Sequence, residues 1–115
     1  MSFIVRQISR TADGRDIVRE QSIEDNVIFI GRAAECAIHL PDLAVDRQHA
    51  SVTQVAGTRV RFQSVSGLGF EVDGKTRTEA ELDAGGGAEV RFGAHRVTLS
   101  QSDGNPVFTV ERLDA

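Results

Sequence analysis

The chain has 115 residues, 40% hydrophobic and 26% charged, with a formal net charge of −4, which suits one domain around one core. Its thirteen basic residues, all Arg except Lys75, are scattered among seventeen acidic ones; a nucleic-acid surface needs clustered cations, so no nucleic-acid partner is expected. No apolar run approaches the roughly 18–20 residues that span a bilayer, so no direct membrane contact is expected either.

The first residues, Met1-Ser2-Phe3-Ile4-Val5-Arg6, lack the basic segment and long apolar stretch of a secretory signal. From there, short runs rich in Val, Ile, Phe and Thr alternate with polar residues. They predict strands over 3–9, 16–22, 27–31, 37–40, 50–55, 58–64, 70–72, 76–80, 88–92, 95–101 and 107–112, by period two and by the breakers between them. The alternation is clearest in Arg59-Val60-Arg61-Phe62-Gln63 and Glu89-Val90-Arg91-Phe92, as half-buried antiparallel strands require. Asp13-Gly14, Ala56-Gly57, Asp73-Gly74, Gly85-Gly86-Gly87, Gly93-Ala94 and Asp103-Gly104 fall between the runs and read as turns, the glycine triplet as a long hairpin tip. Residues 79–82 would form one helical turn at most. About eleven short strands in one chain predict an antiparallel all-β sandwich with no substantial helix.

Cys36 is the only cysteine; it excludes an internal disulfide, reads as a packed thiol and points to a reducing, cytoplasmic setting. Asp46, His49 and Ser51 come from one loop-to-strand corner with no oxyanion-type turn beside Ser51, so no catalytic relay is expected. His39, His49 and Cys36 are too loose a set for a metal site, and Gly85–Gly87 has no phosphate-loop context. No enzyme activity and no cofactor are expected. His39 and His95 read as surface or strand-edge residues.

Four segments, in order, carry a family pattern. "FIGR" (Phe29 to Arg32) ends a strand on Gly-Arg, and "CAIHLPDLAVDRQHASV" (Cys36 to Val52) is similar to I-x-L-x-D-x-x-V-S-R-x-H-A. "SGLGFEVDGK" (Ser66 to Lys75) is similar to S-x-N-G-T-x-V-N-G, and "LDAGGGAEVRFGAHRVTL" (Leu82 to Leu99) to L-x-x-G-D-x-I-x-F-G with its following strand. On these segments the chain resembles the forkhead-associated (FHA) domain, a β-sandwich whose loops at one end read phosphothreonine peptides. The resemblance implies that Arg32 grips phosphate, suited by its planar donors. It implies that His49 braces the binding loops, that Arg47 contacts ligand or anchors its loop, and that Gly31, Gly69 and Gly74 are turn glycines. It also exposes two departures: Asp46 stands where the family has a hydroxyl donor, and Leu68 where it has an Asn that holds the peptide backbone.

An ionised carboxylate accepts hydrogen bonds and cannot donate them, so the departures imply weakened or lost phosphothreonine recognition. The simplest arrangement pairs Asp46 with Arg32, the carboxylate standing in for a phosphate oxygen; the alternative is an Asx-turn residue holding its own loop. Leu68 and Phe70 flank Gly69 and either fold under or form an apolar patch at the loop end. The expected function is therefore a non-catalytic interaction module with a protein or peptide partner, acting by phospho-independent contact or as a weak homodimer. A working phosphothreonine reader through Arg32 and Arg47 is one alternative, and a structural N-terminal domain of a larger assembly is another. The single domain over 1–115 is also compatible with a piece cut from a longer protein.

Overall fold

The computed structural model describes residues 2–113 and forms a sandwich of two sheets. Its strands are β1 (Ser2–Arg10), β2 (Asp16–Glu24), β3 (Val27–Gly31), β4 (Ile38–His39), β5 (Ala50–Ala56), β6 (Arg59–Ser64), β7 (Phe70–Val72), β8 (Lys75–Arg77), β9 (Glu79–Asp83), β10 (Glu89–Phe92), β11 (His95–Ser102) and β12 (Asn105–Arg112). One sheet runs β2-β1-β12-β11-β10-β7-β8 and the other β4-β3-β5-β6-β9. The alternation read in the sequence is what fills the space between them. Val60 and Phe62 are buried while Arg59 and Gln63 are exposed, and Val90 and Phe92 are buried while Arg91 is exposed. Phe62 is the centre, with ring centroids 6.0 Å from Phe70, 6.4 Å from Phe92 and 6.0 Å from Phe108.

The sandwich agrees with the expectation in kind and differs in four details. Both sheets are mixed, because β1 runs parallel to β12 and β3 parallel to β4. The single strand expected over 76–80 is two strands in different sheets. Arg77 pairs with Phe70 in one sheet and Glu79 with Gln63 in the other, and the chain crosses between sheets at Thr78, whose carbonyl takes the Ser64 N–H at 2.8 Å. Residues 79–82 belong to strand β9 rather than to a helical turn; Glu81 and Glu79 face Arg59 and Arg61 across the strand pair with β6. The glycine triplet is no hairpin tip. Ala84–Gly86 forms a 3₁₀ turn joining β9 to β10 in the opposite sheet, opened by Asp83, whose side chain accepts from the Gly85 N–H.

The tight turns behave as their sequences dictate. Asp73-Gly74 and Asp103-Gly104 both carry positive φ at both residues (53° and 77°, 51° and 78°), the twist-matched conformation of a two-residue hairpin. The turn role expected of Gly74 is its role in the β7–β8 hairpin.

Candidate functional site

Loops β3–β4, β4–β5 and β6–β7 meet at one end of the sandwich, and the first two are in backbone contact. Gly31, the last residue of β3, lies so close to the β4–β5 loop that a Cβ there would sit 2.1 Å from the Arg47 carbonyl oxygen and 3.0 Å from that of Asp46. Only glycine permits that approach. The proximity is used: the N–H of Arg32 donates to Asp46 O at 2.9 Å and that of Ala33 to Arg47 O at 3.2 Å. The Cys36 thiol donates to the same Arg47 carbonyl at 3.3 Å. Burial, with the charge of Glu35, pushes the Cys36 thiol up from its ordinary pKa, so it stays protonated and able to donate. Cys36 is the packed, inert thiol its sequence context predicts.

His49 ties the second and third loops together. Its ring is buried, edge-on to Phe92 with centroids 5.4 Å apart. Asp46 N–H donates to Nδ1 at 3.2 Å, which leaves Nε2 as the protonated nitrogen, donating to Gly69 O at 2.8 Å. The His49 carbonyl in turn accepts from Val65 N–H at 3.1 Å and from the Ser66 hydroxyl at 3.3 Å. The hydrogen bonds of His49 thus link the β4–β5 loop to the β6–β7 loop. Gly69 is also crowded, though less than Gly31: a Cβ there would meet Thr76 Cγ2 at 2.7 Å and Arg77 O at 2.9 Å.

The expected pairing of Arg32 with Asp46 does not occur. Among the described residues no ion pair joins them. Arg32 Nε donates to Val45 O at 3.1 Å, and Asp46 Oδ1 accepts the N–H of the next residue, Arg47, at 2.7 Å. The reason is local: a neighbouring peptide N–H is already within reach of a short carboxylate side chain, and the Val45 carbonyl competes for the guanidinium. Asp46 is the loop-holding residue of the alternative reading. Arg32 and Arg47 are both exposed, and neither guanidinium has a carboxylate partner among the described residues.

Phe70 is also corrected. It is 2% exposed, its ring centroid 5.4 Å from that of Phe92, so it belongs to the core and cannot line a binding surface. Leu68 remains 48% exposed. Its N–H donates to Ser66 Oγ at 3.1 Å and its carbonyl accepts from Ser64 Oγ at 2.6 Å, which fixes the backbone and turns the side chain outward.

Asp42 is a residue the sequence reading passed over. Its carboxylate accepts from Ala94 N–H at 2.9 Å and Ala44 N–H at 2.9 Å, with His95 Nδ1 at 3.5 Å. The Ala94 N–H, then the Ala44 N–H, then His95 hold its carboxyl below the usual 3.8. It fastens the β4–β5 loop to the β10–β11 hairpin. His95, expected at the surface, is buried beside it. The Asp of the I-x-L-x-D pattern falls on Asp42 and was the available signal; its partner Ala94 lies 52 residues away.

Against known proteins, the FHA domain family model matches residues 28–93. Solved FHA domains share the fold. One, characterised in a study of phosphothreonine-dependent FHA interactions, has a TM-score of 0.64 at 20% identity, covering 89% of this chain and 98% of that one. The FHA domain of the CT664 protein of Chlamydia trachomatis has a TM-score of 0.64 at 18% identity over 86% of this chain and 97% of that one. The FHA-2 domain of the Mycobacterium tuberculosis ABC transporter Rv1747 has a TM-score of 0.56 at 24% identity over 75% of this chain and 76% of that one. No curated protein matches the chain in sequence.

Proposed function

Since this chain belongs to the FHA domain family, whose members are protein–protein interaction modules, we propose that its loop end binds a protein or peptide partner with weakened phosphothreonine recognition. The observation that carries this reading is Asp46. Its carboxylate is held at the loop end by the Arg47 N–H, where the family has a hydroxyl to offer a phosphate. A carboxylate about 4 Å from a phosphate would repel it by about 1 kcal/mol per unit charge in water and about 4 at an effective dielectric of ~20. The lost charge-assisted hydrogen bond removes roughly 1.5–3 kcal/mol more. Against micromolar binding, about −8 kcal/mol, these terms cut affinity severely. Leu68 adds exposed apolar area in place of a side-chain amide, which favours phospho-independent contact.

A second reading rests on a separate observation. Arg32 and Arg47 are not neutralised by Asp46, so two guanidiniums remain for a phosphate. The two readings differ in degree and are separated by one experiment: isothermal titration of paired phosphothreonine and unphosphorylated threonine peptide libraries into wild type, Asp46→Ser and Asp46→Ser/Leu68→Asn. Weakened recognition predicts at least a fivefold gain for Asp46→Ser toward the phosphorylated library, the equivalent of ~1 kcal/mol, and a further gain from Leu68→Asn. Low-micromolar, phosphate-dependent binding by wild type that Asp46→Ser leaves unchanged would establish the working reader instead.

A further inference from the structure

In a chain with an excess of acid, cations without an acidic partner are informative. Among the described residues, seven of the twelve Arg lie within 4.0 Å of a carboxylate, and Arg112 makes contacts of its own. Among the described residues, the cations without a carboxylate that close are Arg19, Arg32, Arg47, Lys75 and Arg77. Arg19 lies out on β2. Arg32 and Arg47 are on the loop end described above, and Lys75 and Arg77 make up the two ends of β8.

Strand β8 lies against that loop end. The Arg77 carbonyl lies 2.9 Å from where a Gly69 Cβ would be, and the Gly69 carbonyl is the one that holds His49. Arg77 stands directly opposite Phe70, so the two share a face of the sheet, and Lys75 shares it by alternation. Phe70 is part of the core. Arg77 is at the open edge, because β8 is the last strand of its sheet, and all three β8 residues are exposed. The Cα atoms of Lys75 and Arg77 are about 6.5–7 Å apart along an extended strand, the spacing of alternate side chains in an extended peptide.

We propose that Arg77, with Lys75 beside it, selects ligands that carry a second anionic group next to the residue held at Arg32 and Arg47. The inference rests on the loop-end reading and extends its cationic surface past Leu68 and Gly69 onto β8. The shared chemistry is an anionic oxygen group, which a carboxylate or a second phosphate could supply. Cations on a short edge strand also deter edge-to-edge pairing, but that role makes no demand on a ligand.

The test uses fluorescence anisotropy at low salt with four synthetic peptides. Three carry phosphothreonine flanked by Ala, by Asp or by phosphoserine; the fourth has the Asp flanks and unphosphorylated Thr. Each is titrated with wild type, Arg77→Ser and Arg19→Ser. The expected result is that Asp or phosphoserine flanks tighten binding about two- to fivefold over Ala flanks, the scale of an exposed ion pair. Arg77→Ser should abolish the preference, Arg19→Ser should keep it, and raised salt should erode it. The Asp and phosphoserine arms show which anion is preferred. Equal binding of all flanks by wild type, a preference that survives in Arg77→Ser, or no binding of any peptide would overturn the inference. If the unphosphorylated Asp peptide binds as well as its phosphorylated counterpart and loses affinity in Arg77→Ser, the phosphothreonine reading fails and the role of Arg77 stands.

Discussion

Replacing Gly31 by Ala puts one methyl group where the structure has no room. The new Cβ would lie 2.1 Å from Arg47 O, 2.8 Å from Arg47 C and 3.0 Å from Asp46 O, against an optimal carbon contact of about 3.5–4 Å. All three atoms are backbone, so no rotamer change relieves the clash and the β4–β5 loop must move by more than 1 Å or so. That movement breaks the Arg32 N–H to Asp46 O and Ala33 N–H to Arg47 O bonds, each worth about 0.5–1.5 kcal/mol net. With the ordinary cost of overpacking, about 1–3 kcal/mol, the variant should lose about 2–6 kcal/mol. For a domain of this size that is a fall in Tm of roughly 10–30 °C, measured by calorimetry and by urea titration with an unchanged m value. Gly86→Ala is the control, since nothing lies within 4 Å of a Cβ there; it should be neutral or slightly stabilising. A Gly31→Ala protein within about 0.5 kcal/mol of wild type, the scatter of ordinary surface changes, would refute the claim that the loop end is built on this approach.

Three further outcomes follow from the same geometry. His49→Phe keeps a ring against Phe92 but removes both side-chain bonds, leaving Asp46 N–H and Gly69 O unsatisfied. At about 1–3 kcal/mol for each stranded group, it should destabilise by ~2–6 kcal/mol in urea unfolding and speed amide exchange at Asp46. The Asp42 carboxyl is held below 3.8 in the folded state. Its contribution to stability is therefore present above the unfolded pKa and is lost as pH falls through the lower folded value; Asp42→Asn should lower Tm at pH 7 yet flatten the decline of Tm below pH 4 or so. An equal slope in both proteins would contradict this. Phe70→Ala should cost about 3–5 kcal/mol as a core truncation, whereas Leu68→Ser should leave stability within about 0.5 kcal/mol and reduce any concentration-dependent association in sedimentation velocity.

The sandwich was legible because its signals are local. Alternation in Arg59–Ser64 and Glu89–Phe92 is set by burial of one face, and Asp73-Gly74 specifies its hairpin alone. What escaped is non-local. Nothing in Thr76-Arg77-Thr78-Glu79-Ala80 states that its halves pair with different sheets; Phe70 and Gln63 decide that. Parallel pairing of β1 with β12 depends on residues about a hundred positions apart. At the site, Gly31, Arg32, Arg47 and His49 were singled out through the family pattern, while the partners of their hydrogen bonds lie in other loops and left no signal nearby. The Arg32–Asp46 pair was inferred from opposite charges at two positions that hold a phosphate in the family, which ignores the peptide N–H of Arg47 competing at 2.7 Å. Phe70 looked like part of a loop patch because burial of the residue after a loop glycine cannot be read without knowing that Phe62 and Phe92 lie beneath it. Arg77 carried no signal at all until ion pairing elsewhere singled it out.

The parallel pairing of β1 and β12 has a mechanical meaning. Ile4, Val5, Arg6 and Gln7 lie beside Val107, Phe108, Thr109 and Val110 in the same direction, so the start of β1 and the end of β12 point toward opposite poles of the sandwich. Tension applied between those two points runs along the strands and across the rungs that join them. The rungs are loaded in shear and must give way together, whereas an antiparallel pair gripped at one end would unzip one rung at a time. A domain spliced between neighbours through these two strands would hold under a pull that its modest size alone would not suggest.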